Sequence, residues 1–487
     1  MALRKYSNQG ELWGLSPDLA LPTNHMVRAL DEIIENLHLG RCNRKHEHTP
    51  GEAAYDVRCM AKIIIYAYMR GITSSREMAR QCEENIAFQF LTRNQAPNFR
   101  TISLFRRNKR HLLRWIFKKT VALARQLGIA RLGLVALDSV KFPGDVSADR
   151  KMTMAQLNDA IHQLDEYLGK VESTDKTEDV QYGSGLRGDE LPADVSDAQR
   201  RREKLAKALD VLKERQAVAK REPPKNVSLV DPEAPWVKKA GKFVRGYSGQ
   251  VAADSEHQVI VGLKATAQGT DNDQLNPMLD EIEKTAGQAP EQLVADSGYY
   301  TDEAVLEASR SKTDCMVPDA ETAARLNNPK REEKKDATYS VSSFEYDAEK
   351  DEFICPQGKR LAFVRNHTRH GQPTKLYRCS DCPDCANRAQ CTSHSSGSRG
   401  IEVNASHVKI REIREKFKTD TGKDLYKKRK AIIEPIFGRW QHNWGIRRLR
   451  LRGLAGFSVE LHLLAIAHNM TKLLRLQQTG VQIAANA

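Results

Sequence analysis

Two short apolar runs, each stopping at an aspartate, constrain this chain more than any other feature. Residues 132–137 (LGLVAL) lead into Asp138, and residues 292–295 (QLVA) lead into Asp296. Runs this short and apolar read as strands buried on both faces. Between them, residues 243–253 and 258–266 flank a turn-like stretch and predict a β-hairpin. A helix over 273–285 precedes the second run, and a helix over 303–309 and a strand over 314–317 follow it. The order strand, hairpin, helix, strand, helix, strand folds into one mixed sheet. It sets Asp138 and Asp296 on neighbouring strands, at the strand ends where α/β sheets collect their ligands.

A third acid stands out by its surroundings. Residues 427–452 hold nine basic residues (Lys427, Lys428, Arg429, Lys430, Arg439, Arg447, Arg448, Arg450, Arg452) and one carboxylate, Glu434. Ile433, Ile436, Phe437, Trp440 and Trp444 recur at helical spacing, so one face should pack on a core while the cations face outward. Pro435 disfavours an α conformation at Glu434, which predicts a helix that kinks there or begins there. A second basic stretch, residues 99–119, carries eight cations and no acid, with Arg106, Arg107, Lys109 and Arg110 close together. Both stretches read as DNA-contacting faces, helped by a net charge of +14.

Residues 1–128 read as helical. Leu30, Ile33, Ile34 and Leu37 form an amphipathic stripe. A helix over 52–70 should end at Gly71, and Ser74 with Glu77 has the spacing of a capping box. Two helices joined by so short a turn suggest a helix-turn-helix. Residues 151–222 alternate leucines in steps of three and four around a polar middle, as an inserted helical hairpin would. Ser458 is the expected cap of a last helix. The N-terminus has no signal-peptide pattern and no apolar run approaches the ~20 residues of a membrane span. The chain is therefore expected to be soluble and cytoplasmic.

Of nine cysteines, Cys355, Cys379, Cys382, Cys385 and Cys391 crowd into the insertion 319–425. Their spacing fits a zinc-ribbon-like knuckle in which four of the five hold one structural Zn²⁺. Elsewhere no Walker loop, His-Glu-x-x-His or Gly-x-Ser-x-Gly occurs, which leaves ATP, peptide and ester hydrolysis without residues to carry them. Three carboxylates converging on one point would need cations between them. Two Mg²⁺ (or Mn²⁺) ions roughly 3.5–4 Å apart are the usual arrangement for phosphodiester chemistry.

The segments LVALDSVKF, VRGYSGQVAAD with DNDQLNP downstream, LVADSGYYTDEAV and RKAIIEPIFGRWQHNWGIRRLRLRGL, in that order, resemble a DDE transposase of a bacterial insertion sequence. Residues 48–91 resemble the N-terminal domain of the same group. The resemblance implies an α/β ribonuclease H-like catalytic domain, a mixed sheet with helices, preceded by an all-α DNA-binding domain. It implies metal-dependent cutting and joining of double-stranded DNA at terminal inverted repeats and at target sites, with Asp138, Asp296 and Glu434 as the triad. The partner would be DNA, bound by a homo-oligomer such as a dimer, in a bacterial cytoplasm at the nucleoid and away from membranes. Relatives place a tyrosine, an arginine and a later lysine around the glutamate. Tyr426 and Arg429 lie near those places here, but Gln441 stands where the lysine would be.

The domains expected are thus 1–128, helical and DNA-binding; 129–318, the first part of the catalytic domain with the 151–222 hairpin inserted; 319–425, basic and cysteine-rich; and 426–487, the closing helices with Glu434. Two other readings share the residues: a nuclease of the same fold that does not join strands, and a catalytically inactive DNA-binding regulator.

Overall fold

The computed structural model describes residues 16–39, 54–146, 151–182, 193–218, 223–239, 241–328, 339, 343–347, 349–369, 372–392, 397–404 and 407–478. Helices come first: α1 (Pro17–Ala20), α2 (Met26–Asn36), α3 (Val57–Met69), α4 (Ser75–Glu84), α5 (Ile86–Thr92), α6 (Phe99–Asn108) and α7 (Arg110–Gln126). The stripe Leu30, Ile33, Ile34 is buried on α2 as its spacing requires. Ser74 caps α4, its hydroxyl accepting from Glu77 N at 3.5 Å. Gly71 ends the preceding turn at φ +74°, and a Cβ there would stand 2.5 Å from Trp444 O, so only glycine fits. The basic stretch 99–119 is broken at Lys109, whose φ −103°, ψ 32° separates α6 from α7.

The chain then enters β1 (Leu134–Pro143). An excursion follows through β2 (Lys151–Thr153), α8 (Met154–Tyr182), α9 (Ala193–Val218) and β3 (Asn226–Ser228). It is the expected helical hairpin, closed at its base by the β2–β3 pair and held by Leu157, Leu205, Leu209, Leu212 and Val227. The middle of its polar stretch, 183–192, lies outside the described residues.

Next come β4 (Trp236–Lys239), β5 (Lys242–Asp254), β6 (Ile260–Thr266), α10 (Leu275–Ala286), β7 (Gln292–Ala295), α11 (Asp302–Ala308), β8 (Asp314–Met316) and α12 (Ala320–Asn327). β5 pairs antiparallel with β1 and with β6, while β7 runs parallel to β1 and β8 parallel to β7. The order β6, β5, β1, β7, β8 is that of a ribonuclease H-like sheet. β1 does not stop at Asp138, as the apolar run suggested. It continues to Pro143 because the 13-residue β5 pairs with it throughout, Asp138 lying opposite Val251.

Both faces of this sheet are covered. A Cβ at Gly262 would meet Ile282 of α10 at 2.6 Å. One at Gly249, on the opposite face, would meet Leu461 at 2.8 Å. Leu461 belongs to the last helix, α16 (Gly453–Gln478), which begins five residues before the expected cap Ser458. That helix also packs on α3 and α7, so one continuous core joins the N-terminal helices to the sheet.

Residues 345–404 build β9 (Glu345–Asp347), β10 (Glu352–Ile354), β11 (Arg360–Arg369), β12 (Gln372–Arg378), α13 (Arg388–Cys391) and β13 (Gly400–Asn404). The five strands make their own antiparallel sheet around Phe344, Phe353, Leu361, Tyr377, Ile401 and Val403. The described part of this cysteine-rich insertion therefore has a small core of its own, although Phe363 and Val364 on β11 remain exposed. After α14 (His407–Lys416), α15 (Asp420–Gly438) carries Glu434 across the β1–β5–β7 sheet.

Pro435 does not start α15. The helix begins at Asp420, capped by Thr419, runs through Pro435, and widens into a π-type turn at Arg439–Asn443. Proline has no N–H for the carbonyl four residues back, Ala431 O. That carbonyl is met instead by Gln258 Nε2 at 3.1 Å, from the turn between β5 and β6. No helix among the described residues is long and apolar enough to cross a membrane.

Candidate active site

Asp138 and Asp296 are brought together by the parallel pairing of β1 with β7. Leu137 lies opposite Ala295, so each aspartate is the next residue on its strand, at the point where β7 leaves the sheet. Asp296 turns into a 3₁₀ turn, its Oδ1 accepting from Gly298 N at 2.9 Å. A Cβ on Gly298 would stand 3.0 Å from that oxygen, which explains the glycine at this exit. Asp138 Oδ1 accepts from Ser139 N at 2.7 Å, and Oδ2 takes Arg429 Nη1 of α15 at 2.6 Å.

Burial pushes the Asp138 carboxyl up to about 6; Arg429 opposes the rise and Asp296 adds to it. Desolvation thus outweighs the guanidinium in contact with the carboxyl. Two hard oxygen donors on adjacent strands at such a site fit a divalent cation.

Glu434 is not gathered with them. It lies five residues beyond Arg429, about 140° around the helix, and its side chain is exposed. The inward stripe of α15 is instead Tyr426, Arg429, Ile433 and Ile436. No set of three His, Cys, Asp or Glu side chains among the described residues stands ready to hold a metal ion.

A polar network that the sequence did not announce adjoins the aspartates. Asp271 binds Lys141 Nζ at 2.8 Å, Ser139 Oγ at 2.8 Å and Gln250 Nε2 at 2.7 Å, and Tyr299 Oη donates to Gln250 Oε1. Lys141 and Asp271 stood within the motifs LVALDSVKF and DNDQLNP, but only the fold shows that they touch.

The basic residues divide into two groups. Arg107, Arg110, Lys430, Arg447, Arg448, Arg450 and Arg452 are exposed, and Lys109 and Arg439 are partly so. Arg106 and Arg429, expected on outward DNA-contacting faces, are turned inward. Arg106 is 2 % exposed and pairs with Glu460 at 3.0 Å, while Arg429 is 6 % exposed and pairs with Asp138. Each found a buried carboxylate partner that one-dimensional spacing does not reveal.

Glu460, which sequence reasoning passed over as part of an ordinary core helix, also accepts from Tyr68 Oη at 3.1 Å and from the backbone of Arg450 and Leu451 at 2.8 and 3.2 Å. One buried carboxylate thus fixes the arginine-rich segment 446–452 against the N-terminal helices. That segment is tied to the catalytic sheet as well, by Leu449 N on Pro143 O at 3.2 Å at the end of β1.

Residues 354–474 match the family model described as a transposase DDE domain, and residues 16–108 match a transposase domain (DUF772). Both matches are to transposase domains, and together they support a DDE transposase of an insertion sequence. The first match covers β11 to β13 of the cysteine-rich sheet, Arg429, Glu434 and most of α16; the second spans α1 to α6 with Arg106 and Arg107. Asp138 and Asp296 lie between the two. No curated protein matches the chain.

Proposed function

We propose that this transposase binds the terminal inverted repeats of an insertion sequence, cleaves DNA strands there and transfers the freed ends to a target. The observation carrying the reading is the juxtaposition of Asp138 and Asp296 on parallel neighbours of a ribonuclease H-like sheet, with the Asp138 carboxyl largely desolvated. Asp138 and Asp296 would hold Mg²⁺ or Mn²⁺, with Glu434 the third ligand once α15 turns it toward them. Bound there, the ions would neutralise the scissile phosphate and activate the attacking oxygen, a water for cleavage and a 3′-hydroxyl for joining.

The chain's own residues do the rest. Arg107, Lys109 and Arg110 at the α6–α7 junction, and Lys430, Arg439, Arg447, Arg448, Arg450 and Arg452 around the end of α15, supply cations for the phosphate backbone, which is bound largely by charge and released by salt. The N-terminal helices would form the DNA-binding unit, and two copies would synapse the two element ends.

The test is incubation with Mg²⁺ and duplexes carrying the inverted repeats that flank the gene. Wild type should nick and join them. Asp138→Asn, Asp296→Asn and Glu434→Gln should each lose at least about 100-fold in cleavage while still retarding the duplex in a gel. Undiminished cleavage by Asp138→Asn would overturn the assignment. Cleaved ends without joined products would identify a nuclease instead.

A further inference from the structure

The five cysteines of the insertion are not equally placed. Cys379 lies in the apolar core of the small sheet, 0 % exposed, in one cluster with Phe344, Phe353 and Leu361, and its thiol hydrogen-bonds with Cys382 at the edge of that core. The other four line one cavity at the edge of that core: Cys355, Cys382, Cys385 and Cys391, with Arg388 and Arg399. They come from three separate pieces of chain. Cys355 opens the turn between β10 and β11, Cys382 and Cys385 flank a two-residue turn, and Cys391 ends α13. Cys391 interacts electrostatically with Cys382, Cys355 and Cys385, and all four line the same cavity.

Two of the pieces have the backbone of a metal-binding knuckle. In the first, Gly358 at φ +74° closes a turn, with its N–H on Cys355 O at 2.8 Å. The next N–H, of Lys359, points at Cys355 Sγ at 3.2 Å. Such an N–H stabilises a thiolate rather than a thiol. In the second, Cys385 N bonds to Cys382 O at 3.1 Å, curling the two cysteines toward the same side. None of the four is in a disulfide, and they are partly exposed where Cys379 is not.

We infer that Cys355, Cys382, Cys385 and Cys391 are the four ligands of one structural Zn²⁺ that staples the insertion, and that Cys379 is a core residue outside the site. Four thiolates around a divalent ion leave a doubly negative centre. Arg388 and Arg399, on the same cavity, carry the matching charge; Arg399 is fixed there by its bonds to Cys391 O and Tyr339 O, both 3.2 Å. The sulfurs surround the cavity without yet converging on one point. Rotation between staggered positions about each Cα–Cβ bond is the adjustment required.

The need for a staple is physical. Among the described residues the apolar cluster of the small sheet has seven buried members, Cys379 among them, and a core of that size rarely stabilises a unit of its length unaided. This inference does not depend on the catalytic assignment.

The full chain, purified under reducing conditions without chelator, should carry about one zinc per molecule by elemental analysis. Replacing zinc by Co²⁺ should give the intense thiolate-to-cobalt absorption of a tetrahedral thiolate site. Cys379→Ala should keep its metal. Cys382→Ser and Cys385→Ser should lose most of it, and the cobalt spectrum of the wild type reads the site independently of whether those variants fold. Zinc near zero together with no cobalt–thiolate band would overturn the inference. So would loss of zinc from Cys379→Ala equal to that from Cys385→Ser.

Discussion

Arg429 Nη1 sits 2.6 Å from Asp138 Oδ2, so the helix that bears Glu434 meets the catalytic sheet through a cation rather than through its acid. The contact joins residues 291 positions apart and fixes how far α15 is rolled. It also keeps a buried carboxyl, raised to about 6 by desolvation, from rising further.

Divalent-cation binding should follow from that value. A protonated Asp138 cannot serve as a ligand, so Mn²⁺ affinity should be flat above about pH 7 and weaken by up to about tenfold per unit below about 6. In Arg429→Gln the fall should begin at higher pH, because the group that held the carboxyl down is gone. Calorimetric titration with Mn²⁺ across pH 5 to 8 checks both; an unshifted profile in Arg429→Gln would detach the arginine from Asp138.

Arg106 should behave as part of the fold. Its pairing with Glu460 is buried on both sides, and removing one partner of such a pair costs about 3–5 kcal/mol. Arg106→Ala and Glu460→Ala should each lower the melting temperature sharply, and the double variant should lose clearly less than the sum. Arg107→Ala with Arg110→Ala should leave stability unchanged while weakening DNA binding and flattening its salt dependence. Thermal melts beside binding isotherms at two salt concentrations separate the two roles.

His468 predicts a pH window of stability. Burial is the main reason its pKa falls to about 3, and its Nε2 lies 2.8 Å from Gln258 O. With the folded value depressed below the usual 6.5, its stabilising contribution is full above pH 6.5 and is lost as pH falls toward 3. That loss is at most about 5 kcal/mol. His468→Gln should flatten urea-unfolding stability between pH 6.5 and 4 relative to wild type; an identical slope would assign the dependence to other groups.

Gln258 and Pro435 should be energetically coupled. Gln258 meets the Ala431 carbonyl that Pro435 leaves without a helical donor, and its Oε1 accepts from Lys472 at 3.1 Å. Gln258→Ala should cost about 1 kcal/mol. In a Pro435→Ala background, where the helix supplies its own N–H, the cost should shrink. Denaturant midpoints of the four proteins in the cycle measure this, and strict additivity would mean that the carbonyl is served by water.

The strands β7 and β8, the hairpin β5–β6 and the caps of α3 and α4 were legible because each is specified locally, by an apolar run, a turn or a capping hydroxyl within a few residues. β1 was read short because its polar second half is held by pairing with β5, a long-range matter. The cysteine spacing suggested a shared site, but that Cys379 is buried in the core of the small sheet while the other four line its edge is a matter of packing.

By itself the sequence determined the order of elements, and through it the ribonuclease H-like sheet and the meeting of Asp138 with Asp296, because strand order follows from the succession of apolar runs. Only the tertiary structure decided which charges face inward. Arg106 and Arg429 look like their neighbours in the chain, yet each is buried against a carboxylate hundreds of residues away, while Glu434 stays on the outer side of α15. Helical periodicity says which residues share a face, but what that face meets is set by elements distant in sequence.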